Sequence, residues 1–315
     1  LSKTSMKAIR VHEFGNPSVL KLEDVERSKP QSGEVLVRVV YAAVIPLDWK
    51  IRSGAGIFPQ PLPYTPGAVF SGIIETVGDN VTKFKVGDFV FGKMEGSYSE
   101  FGIVPVSEPY LNGMFHVPEN LTLEDAATIG AGAESAWKVL FTAGNLESGQ
   151  TVLIHAAAGG VGQFAVQLAK WKGAKVIGTA SSANLDYVKS LGADQVIDYS
   201  TIPFEEVVKD VDLVVDLVGG STQDRSYSVL KPGGRLVSLV QPPSEEKASK
   251  FGVTAKLSSE FPTPDDNKAV AQLLADGTIK AEIDRIYPLS EAKEAHIRSE
   301  SRHSRGRILL SVNPV

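Results

Sequence analysis

With 315 residues, the chain is longer than the ~250–300 residues at which one hydrophobic core stops growing, so two domains are expected. Its composition, 43% hydrophobic and 22% charged, supports packed cores, and the absence of Cys removes disulfides, thiol nucleophiles and Cys-held zinc or iron–sulfur centres. The balance of 32 Lys and Arg against 37 Asp and Glu leaves −5, which gives no overall attraction to nucleic acid or anionic membranes.

The opening, Leu1-Ser2-Lys3-Thr4-Ser5-Met6-Lys7, lacks the apolar block of a secretory leader, and no apolar run reaches the roughly 18 residues of a membrane span. The expectation is a cytoplasmic protein. From Lys7 to Val117, short apolar runs (Lys7–Val11, Val35–Tyr41, Val69–Val77, Asp88–Phe91, Phe101–Val104) alternate with turn formers such as Thr65-Pro66-Gly67 and Val86-Gly87-Asp88. This pattern predicts a β-rich, barrel-like domain. Next comes Leu121–Ala127, a helical segment that Thr122 can cap, with acidic residues in its first turn.

From Thr151 strands alternate with helices: Thr151–Ala156, helix Val161–Lys172, Lys175–Ala180, helix Asn184–Leu191, Gln195–Asp198, a helix after Pro203, Leu213–Leu217, a helix near Asp224–Leu230, and Arg235–Val240. Repeated βα units of this length predict a parallel sheet with helices on both faces. The polar stretch 241–261 gives little signal. Lys268–Ala275 reads as a closing helix, and Ile283–Tyr287 and Arg307–Val312 read as strands returning to the first domain.

The sharpest local signal is His155-Ala156-Ala157-Ala158-Gly159-Gly160-Val161-Gly162, set between an apolar strand and an amphipathic helix. Small residues at Ala157, Gly159 and Gly162 fit the dinucleotide fingerprint, in which they permit a tight turn, close approach of a pyrophosphate and helix–strand packing. The helix start offers amides and a positive dipole end to phosphate. Where an NAD protein carries an acidic residue at the end of the second strand, this chain has Thr179-Ala180-Ser181-Ser182. Hydroxyls there accept a 2′-phosphate that a carboxylate would repel, so NADPH is favoured.

Val37–Lys50, Pro66–Gly72, Val77–Val81, Val86–Asp88 and the Ala157–Gly162 turn together resemble the medium-chain dehydrogenase/reductase superfamily, and more narrowly its zinc-independent quinone oxidoreductase and enone reductase branch. The resemblance implies an α/β protein with a GroES-like β-rich domain (1–125 and 278–315) and a doubly wound Rossmann dinucleotide-binding domain (126–277), the cofactor lying between them. It also implies an NADPH-dependent oxidoreductase that passes hydride to a quinone or α,β-unsaturated carbonyl, and a homodimer formed through the edge strand near or after Arg235–Val240. Zinc-dependent relatives carry Gly-His-Glu near Gly67 and two Cys ligands. This chain reads Gly67-Ala68-Val69, and its five His are scattered without metal-ligand spacing.

By the same resemblance, Ser135 stands near the nicotinamide and Ala158, Gly159, Gly160 and Val161 form the phosphate turn. Ser181, Ser182 and Tyr199 stand in the 2′-phosphate region, and Leu217, Val218, Leu239 and Val240 wall the nicotinamide ribose. Arg307 is either the basic residue that relatives carry near the C-terminus or a solvated charge at a strand edge. Relatives commonly have Asn before Pro46; this chain has Ile45. Asp48 and Lys50 either act in the substrate site or form a structural ion pair. Phe58, Tyr64, Phe70 and Tyr98 either stack on a planar substrate or belong to the core, and Tyr64 is the candidate proton donor. The alternative class is a non-catalytic, crystallin-like NADPH-binding protein.

Overall fold

A computed structural model describes residues 4–55, 60–106 and 113–315. The chain forms two compact units: Leu1–Ala131 with Asn267–Thr278 and Glu282–Val315, and Gly132–Asp266 with Ile279–Ala281. Both chain ends therefore belong to the first unit.

The first unit opens with a hairpin of β1 (Ser5–Arg10) and β2 (Lys21–Glu26), paired antiparallel. Its main sheet contains β3 (Glu34–Val44), β4 (Val69–Val77), β5 (Phe89–Lys93), β6 (Phe101–Pro105) and β7 (Met114–His116). Two strands from the far end of the sequence, β14 (Ile283–Pro288) and β15 (Arg307–Ser311), complete it in the order β14-β15-β3-β4-β5-β7. β3 is shared. Its first half, Glu34–Arg38, pairs with β6, its second half pairs with β15, and two register shifts against β4 let it bend between these partners. Because the sheet curls, the inward residues Val35, Val37, Val39, Phe70, Ile74 and Tyr98 close on one core, sealed by Ala292 and Ala295 of helix Ala292–Glu300.

The second unit has six strands: β8 (Thr151–Ile154), β9 (Lys175–Ala180), β10 (Gln195–Asp198), β11 (Val211–Asp216), β12 (Leu230–Ser238) and β13 (Thr254–Leu257). All pair in parallel, in the order β10-β9-β8-β11-β12-β13. Counted along the chain this is 3-2-1-4-5-6, the doubly wound order whose direction reverses between the first and fourth strands. Every residue of β11 is buried, as expected for a central strand covered on both faces.

Several elements differ from the sequence reading. β12 begins at Leu230, so the helix expected near Asp224–Leu230 lies earlier, at Gly220–Ser226. The polar stretch after residue 240 holds helix Glu245–Phe251 and the edge strand β13. Helix Pro46–Arg52 follows β3 without a separating loop, because Pro46 suits a first helical turn and ends the strand run.

Two of the residues set down as possible substrate-stacking aromatics, Phe70 and Tyr98, are fully buried in the first unit's core, and Phe58 lies outside the described residues. Phe70→Ala should therefore destabilise the protein by about 3–5 kcal/mol, the cost of a large core cavity. Urea unfolding monitored by circular dichroism reads this loss, and an unchanged midpoint would remove Phe70 from the core.

Candidate functional site

The phosphate-type turn grows out of the end of β8. His155 N–H donates to Val215 O (3.2 Å) and Ala157 N–H to Thr179 O (3.0 Å), so the chain leaving β8 is tied to both neighbouring strands. Ala156 takes a left-handed conformation (φ 54°), and its carbonyl accepts from Gly159 N–H at 3.1 Å. The tight turn is thus made at Ala156, one residue before the Ala157 of the sequence reading.

Two glycines in the turn serve different ends. A Cβ on Gly162 would lie 2.1 Å from Ala156 O and 2.8 Å from Ala157 Cα, so the close crossing of helix start and strand end requires glycine. A Cβ on Gly159 would meet nothing closer than Ala156 O at 3.4 Å, an ordinary contact. Nothing within the fold demands a glycine at 159. The amides of Gly160, Val161 and Gly162 have no hydrogen-bonded acceptor among the described residues, and they open helix Gly162–Lys172. This leaves donors and a positive dipole end at the C-terminal edge of the sheet's first strand, where the strand order reverses.

Buried polar groups hold this edge. His155 Nε2 lies 3.0 Å from Ser226 Oγ and Nδ1 lies 3.1 Å from Thr179 Oγ1. Ser226 donates its own proton to Thr222 O, so its oxygen accepts from His155; the imidazole carries its proton on Nε2 and accepts from Thr179. Burial is the first cause that lowers His155 to about 4, so the ring is neutral. Asp216, fully buried at the end of β11, accepts from Val218 N–H (3.0 Å) and Gly219 N–H (2.8 Å) on Oδ1 and from Gln223 Nε2 (3.0 Å) and Ser238 Oγ (2.7 Å) on Oδ2. Those four donors fix the loops after β11 and β12.

The parallel register Asp216↔Ser238 sets Leu217 and Val218 beside Leu239 and Val240, the valines 44% and 39% exposed. Likewise Asp198↔Ala180 brings Ser181 and Ser182 next to Tyr199, which is 58% exposed. Ser135 is half-buried on helix Glu134–Trp137 of the same unit.

The remaining candidates lie in the first unit. Arg307 is in its interior, not at a solvated edge: the residue is 4% exposed, and its guanidinium donates to Val44 O (3.3 Å) and Ala131 O (2.7 Å). Burial, the largest influence, brings it down to about 10. Asp48 and Lys50 form no ion pair, because residues two apart on a helix do not face each other. Lys50 instead lies 5.7 Å from the Trp49 ring centroid, with burial and then Arg302 lowering its pKa.

Asp48 Oδ2 accepts from Ile45 N–H (3.0 Å) and Tyr98 O–H (2.7 Å). Burial raises Asp48 to about 6, opposed by those two bonds and by the charge of Arg307. Tyr98 also meets His296 Nε2 (3.0 Å), and His296 Nδ1 meets Arg52 (2.8 Å), which pairs in turn with Glu300. Tyr64 lines a cleft of about 470 Å³ with Arg10, Thr65, Glu95 and Phe101, while its buried hydroxyl has no partner; burial, then Asp48, pushes it up to about 12. Ile45 packs with Ala43, Val69, Ala127 and Leu309, an apolar setting for the position that is Asn in relatives.

Residues 31–116 match the alcohol dehydrogenase GroES-like domain and residues 191–310 the zinc-binding dehydrogenase family. A quinone oxidoreductase from Rattus norvegicus is 33% identical over 96% of this chain and 96% of its own length. The chain belongs to the quinone oxidoreductase branch of the medium-chain dehydrogenase/reductases. The solved quinone oxidoreductase of Coxiella burnetii superposes with a TM-score of 0.89 at 34% identity, covering 98% of this chain and all of that one. A mycobacterial protein solved in complex with NADPH gives 0.88 at 31% identity, covering 97% and 99%. The GroES-like and Rossmann-like architecture read from the sequence is the one observed.

In this branch member, sequence reading singles out the glycine turn but gives no structural role to His155, which heads that run, or to Asp216, Arg52 and His296, which sit in no local motif. His155 titrates near 4 in the folded chain against about 6.5 unfolded. The unfolded chain therefore takes the proton first, and stability complete above pH 6.5 is lost as pH falls toward 4. His155→Gln, whose amide can make the same two bonds, should reduce that slope by up to about 1.4 kcal/mol per pH unit, measured by urea unfolding across the window.

Proposed function

We propose that the chain is an NADPH-dependent oxidoreductase that reduces a quinone or an α,β-unsaturated carbonyl. The observation that carries this reading is the Gly159 turn, where three amides have no partner among the described residues beside a glycine that the fold itself does not need. In this reading Ala158, Gly159, Gly160 and Val161 hold the pyrophosphate. Ser181, Ser182 and Tyr199 receive the 2′-phosphate, supported by the absence of a carboxylate at the end of β9. Leu217, Val218, Leu239 and Val240 form an apolar wall that keeps water from the nicotinamide end, and Ser135 borders it.

Bound NADPH supplies a hydride to an electron-poor carbon of the acceptor. The chain's own part is to fix two flat molecules in orientation and to exclude water. The sequence carries none of the zinc ligands of the alcohol dehydrogenases, which supports an acceptor that is already polarised over an alcohol needing a Lewis acid. The buried, apolar Ile45 favours a second reading, NADPH binding without turnover.

Gly159→Val should keep the fold, since its Cβ has room, and should lower NADPH affinity by about a hundredfold or more by filling the cradle. Calorimetry reads this, and unchanged affinity with a folded protein would remove the turn from the site. A panel of quinones and enones, followed through NADPH absorbance, should show turnover; tight NADPH binding with no turnover selects the second reading. We also propose a homodimer through β13, the edge strand, supported by exposed Leu257 on the strand and exposed Phe251 before it. Sedimentation should then give twice the chain mass, with Leu257→Lys shifting it toward one.

A further inference from the structure

The cleft that Tyr64 borders, about 470 Å³, is large enough for a small ligand, and all of its lining residues belong to the first unit. One antiparallel bridge sets its floor. Val11 and Tyr64 exchange backbone hydrogen bonds of 2.9 and 3.1 Å, which brings Arg10 beside Thr65, and the Arg10 guanidinium donates to Thr65 Oγ1 at 3.1 Å. Thr65 packs in turn on Gly96, where a Cβ would lie 3.3 Å from it, and Glu95 just before Gly96 reaches the same cleft. Ser99 Oγ lies 2.8 Å from Gly96 O and 3.0 Å from Phe101 O, which fixes this turn, and Arg27 sits 3.7 Å over the Phe101 ring.

Arg10 and Glu95 are the charged side chains that line this cleft, and neither has an ion pair among the described residues, with each other or with any other group. The bond to neutral Thr65 orients the Arg10 fork and leaves its other N–H donors without a protein acceptor. The fold sets repulsion against Arg10 instead of a counter-charge. Lys21 stands directly opposite it in the hairpin, and Glu23, on the same face, is taken by His12 Nε2 at 2.7 Å. Met6, Leu36, Phe101 and Ile103 give the cleft an apolar wall beside these two charges.

We propose that this cleft is a binding site for a small amphoteric molecule with an apolar body, of the class of an apolar amino acid or short peptide, whose carboxylate meets Arg10 and whose ammonium meets Glu95. A guanidinium receives a carboxylate through charge-assisted, paired hydrogen bonds, and the apolar body lies against the wall of Met6, Leu36, Phe101 and Ile103. The two charges select against the alternatives. A simple anion would meet Glu95, a simple cation would meet Arg10, and a neutral apolar molecule would strip water from both without replacing it. The site holds its ligand without making or breaking bonds, and it stands independently of the reductase reading.

The three methionines supply the probe. Met6 lines the cleft, Met94 Cε fills the space beside the lining residue Gly102, and Met114 lies in the core, so carbon-13 methyl labels report the site and its background together. Met6→Leu assigns the first signal. Titrating the full chain with leucine and with leucyl-leucine should shift the Met6 methyl saturably while Met114 stays fixed, and the tighter of the two tells a free amino acid from a peptide. Isocaproate, which lacks the ammonium, and isopentylamine, which lacks the carboxylate, should each bind about tenfold more weakly than leucine. Arg10→Gln should weaken leucine by about tenfold. Glu95→Gln should weaken leucine but tighten isocaproate, a pair of opposite effects that a structural role would not produce; Glu95 is exposed and unpaired, so this variant carries the test where Arg10→Gln does not fold. Absence of a saturable Met6 shift with both zwitterions overturns the proposal. So does isocaproate binding as tightly as leucine, or Glu95→Gln moving both probes in the same direction.

Discussion

The second unit is organised around one constraint: three adjacent amides, those of Gly160, Val161 and Gly162, have no acceptor among the described residues. Buried or half-buried donors of this kind cost free energy unless something completes them. The surrounding structure keeps them from collapsing onto an internal partner. Ala156, held left-handed, directs its carbonyl to Gly159 N–H, and Gly162 must remain bare for the helix to cross that carbonyl. His155 ties the base of the turn to β9 and to helix Gly220–Ser226, while Asp216 does the same for the loops of β11 and β12. The turn therefore presents amide donors on a hydrogen-bonded support, the arrangement on which the proposed cofactor reading rests.

What could be read from the sequence follows from how local each signal is. Val69–Val77 and Gln195–Asp198 are recovered residue for residue because their apolar runs are bounded by turn formers. β2, Lys21-Leu-Glu-Asp-Val-Glu26, escapes because a two-stranded hairpin exposed on one face needs few apolar residues. β13 escapes for a related reason: an edge strand with exposed side chains carries no buried run. Helix Ala292–Glu300 buries only Ala292, Ala295 and His296, too thin a stripe to stand out. The glycine turn was legible because all its parts fall within eight residues. The Asp48 cluster was not, since Tyr98 meets His296 across 198 positions and Arg52 meets it across 244. Only the closing of β14 and β15 onto β3 brings those residues together.

Two of the buried aspartates, Asp216 and Asp48, are held in different ways. Asp216 and Asp48 are 0% and 4% exposed, so both face a similar desolvation cost. Asp216 accepts four hydrogen bonds, two on each oxygen, and both oxygens are committed to holding loops. Asp48 accepts two, both on Oδ2, and burial outweighs them enough to raise it to about 6. Where one oxygen takes both donors and burial is the stronger influence, the carboxyl is pushed toward its neutral form, as at Asp48.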